Sequence, residues 1–82
     1  MSVEGRMMEI VRKHIKIPED KFSNDANLAN DLGVDSLTLF EIILDMEKEF
    51  GCEIPEKDSN SIVSIGSAIA YIEAKIAEGI AK

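Results

Sequence analysis

The sequence predicts an all-α fold, a small four-helix bundle in which three helices are long and the third along the chain is short. Three observations favour this fold. Apolar residues recur at helical spacing in three separate stretches, and residues that cap or stop helices bound each stretch. Apolar residues also make up 45% of the 82-residue sequence, which is enough for a modest core. We therefore expect a single domain over residues 1–82, with a long loop after the first helix.

The first helix is predicted from Val3 to about Lys16, because its apolar residues fall on one stripe. Pro18 ends it, since the residue before a proline avoids the helical region. The loop from Lys16 to Asn30 is rich in asparagine and aspartate, which favour turns. Its predicted core anchors are Ile17, Phe22 and Leu28.

The second helix is predicted from Ser36 to about Phe50, with Asp35 as the N-cap and Gly51 as a left-handed C-cap. It holds too many apolar residues for one narrow stripe. The row predicted to face the core is Leu37, Phe40, Ile43, Leu44, Met46 or Glu47, and Phe50. Leu39 and Ile42 are then expected on the outward face beside Glu41, as apolar anchors in a charged rim.

The last third of the chain predicts a short helix or turn from Glu56 to Asn60 and a long final helix. Ser64 is the predicted N-cap of the final helix, which runs to about Ile80. The predicted core stripe of that helix is Ile65, Ile69, Ile72, Ile76 and Ile80. Cys52, the single cysteine, cannot form an internal disulfide and is expected to be a semi-buried small residue.

The negative charge is concentrated in one part of the sequence. The formal net charge is −7, and residues 31–58 hold nine acidic and two basic side chains, so the rest of the chain is neutral. This distribution argues against a nucleic-acid partner and favours basic protein surfaces as partners. A solvated helix face is the simpler interpretation of the same acids.

No apolar stretch predicts a membrane span, and the residues from Met1 to Arg12 lack the apolar core of a signal peptide. We expect a cytoplasmic monomer.

Catalytic and metal-site patterns fit the sequence poorly. The single histidine, His14, lies among basic residues on the first helix, so it is expected to be an ordinary surface residue and not the base of a serine hydrolase. A calcium loop counted from Asp25 lacks the required glycine at Asn30 and has Ser36 at the place of the bidentate glutamate. We therefore predict no catalytic residues and no built metal site, while a loose divalent-cation site among the acids stays open.

A serine motif stands at residues 31–37, with the sequence DLGVDSL. Gly33 permits a tight turn, Asp35 caps the following helix, and Ser36 falls at about its first position. A hydroxyl there is exposed. A phosphate esterified to it would lie near the helix N-terminus, where the helix dipole favours negative charge.

The same motif is followed by a set of residues at fixed spacing. These residues are Glu41, Glu47, Lys48, Glu49, Phe50, Glu53, Ile54, Pro55, Ile62, Ala68, Ile69, Tyr71 and Ile72. Together they resemble an acyl carrier protein of the discrete bacterial type, which serves fatty-acid or polyketide synthesis. The resemblance extends without gaps from about residue 31 to residue 72.

The resemblance implies that Ser36, flanked by Asp35 and Leu37, carries a covalent 4′-phosphopantetheine group. A separate phosphopantetheinyl transferase, a holo-acyl-carrier-protein synthase, would attach the group from coenzyme A with Mg2+, and the carrier itself would be non-catalytic. Acyl groups would be held as thioesters on the arm, and the bundle could open to shelter them. Acyl-transferring and elongating enzymes with basic patches would dock on the second helix. The implied docking residues are Leu37, Leu39, Glu41, Asp45 and Glu47.

Some positions depart from the common pattern of that family. Thr38 replaces a usual acid, Lys48 interrupts an acidic run, and Lys57 and Asn60 dilute the third segment. These departures favour a specialised member that serves another lipid or polyketide pathway. The competing hypothesis is an unmodified acidic helical adaptor that binds basic protein surfaces, in which Ser36 is incidental.

Overall fold

The computed structural model describes residues 2–16, 20 and 23–82. In this part of the chain the regular structure is helical, with no strand, and the elements are α1 (Val3–His14), α2 (Ser36–Phe50), α3 (Glu56–Ser59) and α4 (Ile65–Ala77). The predicted small all-α bundle is confirmed. Ile17, Pro18 and Phe22, which were predicted to anchor the loop or end the first helix, lie outside the described residues.

The core forms around α1, which packs against both α2 and α4. Met7 of α1, Met46 and Phe50 of α2, and Ile65 and Ile72 of α4 are fully buried. Each such side chain stabilises the fold by about 1.5–3 kcal/mol relative to an exposed position. The three long helices are therefore held together chiefly by apolar side chains of α2 and α4 that pack against α1.

The helix ends follow the capping residues in the sequence. The Asp35 carboxylate accepts a hydrogen bond from the Thr38 N–H at 2.8 Å. Ser64 and Ser67 form a reciprocal capping box at the start of α4. Gly51 ends α2 in the left-handed conformation, with φ +64°. These contacts satisfy backbone groups that a helix end leaves without an internal partner, and they confirm the predicted starts of α2 and α4.

The loop before α2 lies along the start of α4. The Leu28 N–H donates to the carbonyl of Val63 at 3.0 Å, and the Gly66 N–H donates to the carbonyl of Asn24 at 2.9 Å. A Cβ at position 66 would lie only 2.7 Å from the Asn24 oxygen, so this close approach requires glycine. Leu28 is buried, as predicted. The segment that leads to the serine motif is thus fixed to α4 by backbone contacts.

The prediction of which α2 face is buried was wrong in part. Ile43, Met46 and Phe50 of the predicted row are buried, as expected, but the other apolar members of that row are not. Ile42 is buried and Leu39 is partly buried against the core, whereas Leu37, Phe40 and Leu44 are exposed. Two rows on this helix have helical spacing, one through residues 37, 40 and 44 and the other through residues 39, 42, 43, 46 and 50. The second row has more members and buries more apolar surface against the bundle, so it sets the rotation of the helix.

The last helix also ends earlier than predicted. It stops at Ala77, and Gly79 takes the left-handed conformation with φ +79°. The chain then turns back, so that the Ile80 N–H donates to the carbonyl of Lys75 and Ala81 is buried instead of Ile80. Ile80 is 52% exposed and is not part of the core stripe.

Among the described residues, no helix combines the length and the apolar character that crossing a membrane requires.

Candidate functional site

Ser36 is the first residue of α2 and is exposed. Gly33, with φ +68°, makes the turn that precedes it. The Thr38 N–H, which donates to the Asp35 carboxylate, is the main cause that lowers the pKa of Asp35 below its ordinary value. The carboxylate therefore stays ionised and keeps the start of the helix in place beside the hydroxyl.

Two grooves meet at Ser36. One has a volume of about 380 Å³ and lies toward the loop that precedes α2. The other has a volume of about 480 Å³ and lies between α2 and α3. Ser36 and Leu39 line both grooves. The serine hydroxyl is therefore reached from solvent and lies beside two concave apolar surfaces of the size that small organic groups occupy.

Both apolar and polar side chains line the α2–α3 groove. Leu39, Phe40 and Ile43 line it from α2, and Ile54 lines it from the segment before α3. The polar residues that line it, besides Ser36, are Glu56, Ser59 and Asn60. A chain attached through the serine could place apolar atoms inside this groove while its polar part stayed in water.

A family model described as a phosphopantetheine attachment site matches residues 5–72 of the chain. The chain belongs to this family. The prosthetic group of the family is a covalently attached 4′-phosphopantetheine, so the chain is a phosphopantetheine carrier. Carrier domains of this family are generally non-catalytic. The site fits the group, because an exposed hydroxyl at a helix N-terminus can accept a phosphate ester and the two grooves leave room for the arm.

The outer face of α2 in the carrier presents apolar side chains next to the site. Leu37 is 67% exposed and Phe40 is 58% exposed, and Leu44 continues the same row. Glu41 is exposed beside them. The family resemblance implied Leu37 and Glu41 as docking residues, although the apolar spacing had also assigned Leu37 to the core. Phe40 and Leu44 were missed because both were assigned to the core alone. Their i, i+3, i+7 spacing with Leu37 shows that the three share one face, but it does not tell whether that face is buried or exposed.

Asp45 lies on a different side of α2 and pairs with a residue of α1. Its carboxylate is 2.5 Å from Nε2 of His14, and both side chains are partly buried. The hydrogen bond with His14 is the main cause that lowers the pKa of Asp45. The prediction that His14 is an ordinary surface residue was wrong, because His14 joins α1 to α2.

Glu47 and Leu39 of the carrier also have contacts within the molecule. The Glu47 carboxylate accepts a hydrogen bond from the Ile54 N–H at 2.8 Å. Leu39 packs partly against the core and lines both grooves. These contacts give Asp45, Glu47 and Leu39 structural roles beside the predicted docking role, which stays a prediction for all three.

The described residues contain no group of three or more histidine, cysteine, aspartate or glutamate side chains that could hold a metal ion. Cys52 is buried, and burial raises the pKa of its thiol. The thiol is thus protonated at neutral pH, which makes it a weak nucleophile.

Proposed function

We propose that Ser36 is the residue that carries the 4′-phosphopantetheine arm and that the carrier holds acyl groups as thioesters on the terminal thiol of that arm. The observation that carries this proposal is the position of Ser36, which is exposed, begins α2 and lies where the two grooves meet. A separate phosphopantetheinyl transferase would use coenzyme A to form the phosphate ester at the serine oxygen. Asp35 and Leu37 flank that oxygen and belong to the surface that the transferase must approach.

The apolar groove between α2 and α3 supports an acyl cargo. Leu39, Ile43 and Ile54 offer an acyl chain a surface away from water. A volume of about 480 Å³ suits a small chain and leaves the thioester near the mouth, where a client enzyme could reach it. The carrier would supply fatty-acid synthesis or another lipid or polyketide pathway, as a cytoplasmic monomer that moves between enzymes.

The attachment is tested by incubating the purified chain with coenzyme A, Mg2+ and a phosphopantetheinyl transferase, followed by intact-mass spectrometry. We expect the wild-type mass to rise by one phosphopantetheine group and the Ser36→Ala mass to stay unchanged. Ser23→Ala is the matched control, because Ser23 is also exposed and lies outside the motif, and it should accept the group. A wild-type chain that several transferases leave unmodified would refute the proposal and favour the unmodified adaptor.

The outer face of α2 is the proposed docking surface for the transferase and the client enzymes. Residues 31–58 hold the whole net negative charge, and Glu41 lies among the exposed side chains of Leu37, Phe40 and Leu44. An apolar patch with a charged rim suits brief complexes, since opposite charges on the partner accelerate encounter without slowing release. Asp45 and Glu47 extend the negative field of this helix.

Charge reversal at Glu41 tests this surface. We expect Glu41→Lys to slow association with the transferase about tenfold at low salt, because a rim charge acts mainly on the association rate. Its urea midpoint should match that of the wild type. Glu47→Lys is the informative comparison, since it should also lower stability by removing the acceptor of the Ile54 N–H. Unchanged stopped-flow association of Glu41→Lys at low salt would exclude Glu41 from the docking surface.

A further inference from the structure

The short helix α3 forms one wall of the α2–α3 groove, yet it has little to hold it in place. None of its four residues is buried, and Pro55 gives it no side-chain cap. Its two flanks are anchored, since Ile54 is 7% exposed and Ile62 is 2% exposed. In the described part of the chain, α3 is therefore a short bridge between two buried isoleucines.

Among the residues that the structure describes, one side-chain hydrogen bond joins this bridge to another helix. The Tyr71 hydroxyl of α4 donates to the Asp58 carboxylate of α3 at 2.7 Å. Both residues are half-buried. Burial, together with the Asp58 carboxylate, raises the pKa of Tyr71 above its ordinary value, so the hydroxyl remains a donor through neutral and mildly alkaline pH.

Asp58 does not line the α2–α3 groove, although Glu56, Ser59 and Asn60 on either side of it do. The contact with Tyr71 therefore holds α3 from outside the groove, on the side of α4. The nitrogen of Lys75 lies 5.4 Å from the centre of the Tyr71 ring and helps to fix that ring. The side chain that fixes the wall and the side chains that would touch the cargo are thus separate.

We propose that Tyr71 and Asp58 form a latch that holds α3 as the wall of the α2–α3 groove, which makes Tyr71 a positioning residue for the cargo. The role of the latch in sheltering a cargo rests on the proposed function, whereas the role of the latch in holding α3 does not. When the latch is closed, α3 stays in place as the wall opposite the apolar residues of α2 that line the groove. When the latch opens, α3 moves away from α4 and the attached chain loses shelter.

The first experiment measures amide hydrogen exchange in the unmodified protein. The Ser59 N–H donates to the carbonyl of Pro55, so its exchange reports whether α3 is formed. We expect Tyr71→Phe, which keeps the ring and removes the hydroxyl, to speed exchange at Ser59 about tenfold, as loss of a hydrogen bond to a charged group predicts. The Gly51 N–H, which donates to Glu47 at the end of α2, should exchange at the wild-type rate.

Asp58→Asn is the conservative control. The amide oxygen of asparagine can still accept a hydrogen bond from the Tyr71 hydroxyl, so this variant should keep most of the protection at Ser59. Equal acceleration at Ser59 and Gly51 in Tyr71→Phe would mean that the variant loosens the whole bundle, and it would overturn the latch. Unchanged exchange at Ser59 would overturn it as well.

The second experiment uses protein that carries an acyl thioester and measures its cleavage by hydroxylamine. An octanoyl group can reach into the groove, whereas an acetyl group is too short to do so. We expect Tyr71→Phe to speed cleavage of the octanoyl thioester by up to about tenfold, which is the expected increase in the population of open α3. The cleavage rate of the acetyl thioester should stay unchanged. Equal rates for the octanoyl form of the variant and of the wild type would refute the effect on the cargo. If Ser36 carries no arm, the proposed function fails on its own, while the exchange experiment still decides whether the latch exists.

Discussion

The two ends of α2 are held in opposite ways. At its N-terminal end Ser36, Leu37 and Phe40 are exposed. At its C-terminal end Phe50 is fully buried. The same helix therefore has one exposed end, where we propose docking, and one end that is part of the core.

Arg6 of α1 fixes the C-terminal end of α2. Its guanidinium donates to the carboxylate and to the carbonyl of Glu49, each at 2.9 Å, and to the carbonyl of Lys82 at 2.8 Å. It also lies 4.4 Å from the centre of the Phe50 ring. The Lys82 N–H completes the arrangement by donating to the carbonyl of Phe50.

This difference teaches how a small bundle can keep apolar residues in water. Exposure of Leu37 and Phe40 forgoes the stabilisation that burial would give, and the buried end of the same helix offsets that loss. The exposed end is then available for the proposed docking of partner enzymes. Substitutions at the two ends should consequently affect different properties.

Two phenylalanines on α2 give the largest contrast. Phe50→Ala should lower the free energy of unfolding by about 3–5 kcal/mol, because it removes a large side chain from the core and leaves a cavity. Phe40→Ala should change that free energy by no more than about 0.5 kcal/mol, because Phe40 is 58% exposed. Urea denaturation followed by circular dichroism measures both.

The rate of the transferase reaction should respond to Phe40→Ala even though the free energy of unfolding does not. Phe40→Ala should slow modification at Ser36, because it removes an apolar contact beside the site, although the protein is fully folded. If Phe40→Ala destabilised the bundle as much as Phe50→Ala does, the contrast between the two ends of α2 would be wrong.

Arg6→Lys should give a smaller effect of the same kind. Lysine keeps the positive charge but cannot reproduce the planar set of donors that reaches both Glu49 and Lys82. We expect a loss of about 1–2 kcal/mol in the free energy of unfolding. Thermal denaturation measures this loss, and the rate of modification at Ser36 at 25 °C is the control, which should not change. A slower modification rate in fully folded Arg6→Lys would show that the two ends are coupled.

The sequence predicted the features that depend on neighbouring residues. The start and end of α2 follow from Asp35 and Gly51, whose effects reach only a few positions along the chain. The short α3 after Pro55 and the capping of α4 by Ser64 follow in the same way. Local hydrogen bonds and backbone preferences determine all of these, so composition and spacing are enough to predict them.

The sequence could not predict features that depend on distant residues. Both apolar rows of α2 have helical spacing, and the choice between them is made by packing against α1. Two side-chain contacts join separate elements, so no local pattern predicts them. They are the pairing of His14 with Asp45 and the hydrogen bond of Tyr71 with Asp58. The contact of Glu47 with the Ile54 N–H was missed although the two residues are seven positions apart, because it joins α2 to the segment that folds back after the helix end. The end of α4 was predicted too late for a different reason, since its signal is local: Gly79 takes the left-handed conformation, and the Ile80 N–H donates to the carbonyl of Lys75.

The contacts between Asn24 and Gly66 and between Leu28 and Val63 also bear on when the site forms during protein synthesis. The chain emerges from the ribosome N-terminus first, so α2 with its local Asp35 cap can form before α4 exists. The loop before Ser36 has to wait, because its backbone partners are among the residues made later. We therefore expect a ribosome-bound chain that ends before Gly66 to be a poor substrate for the transferase. Modification would then act as a check that the domain has been completed.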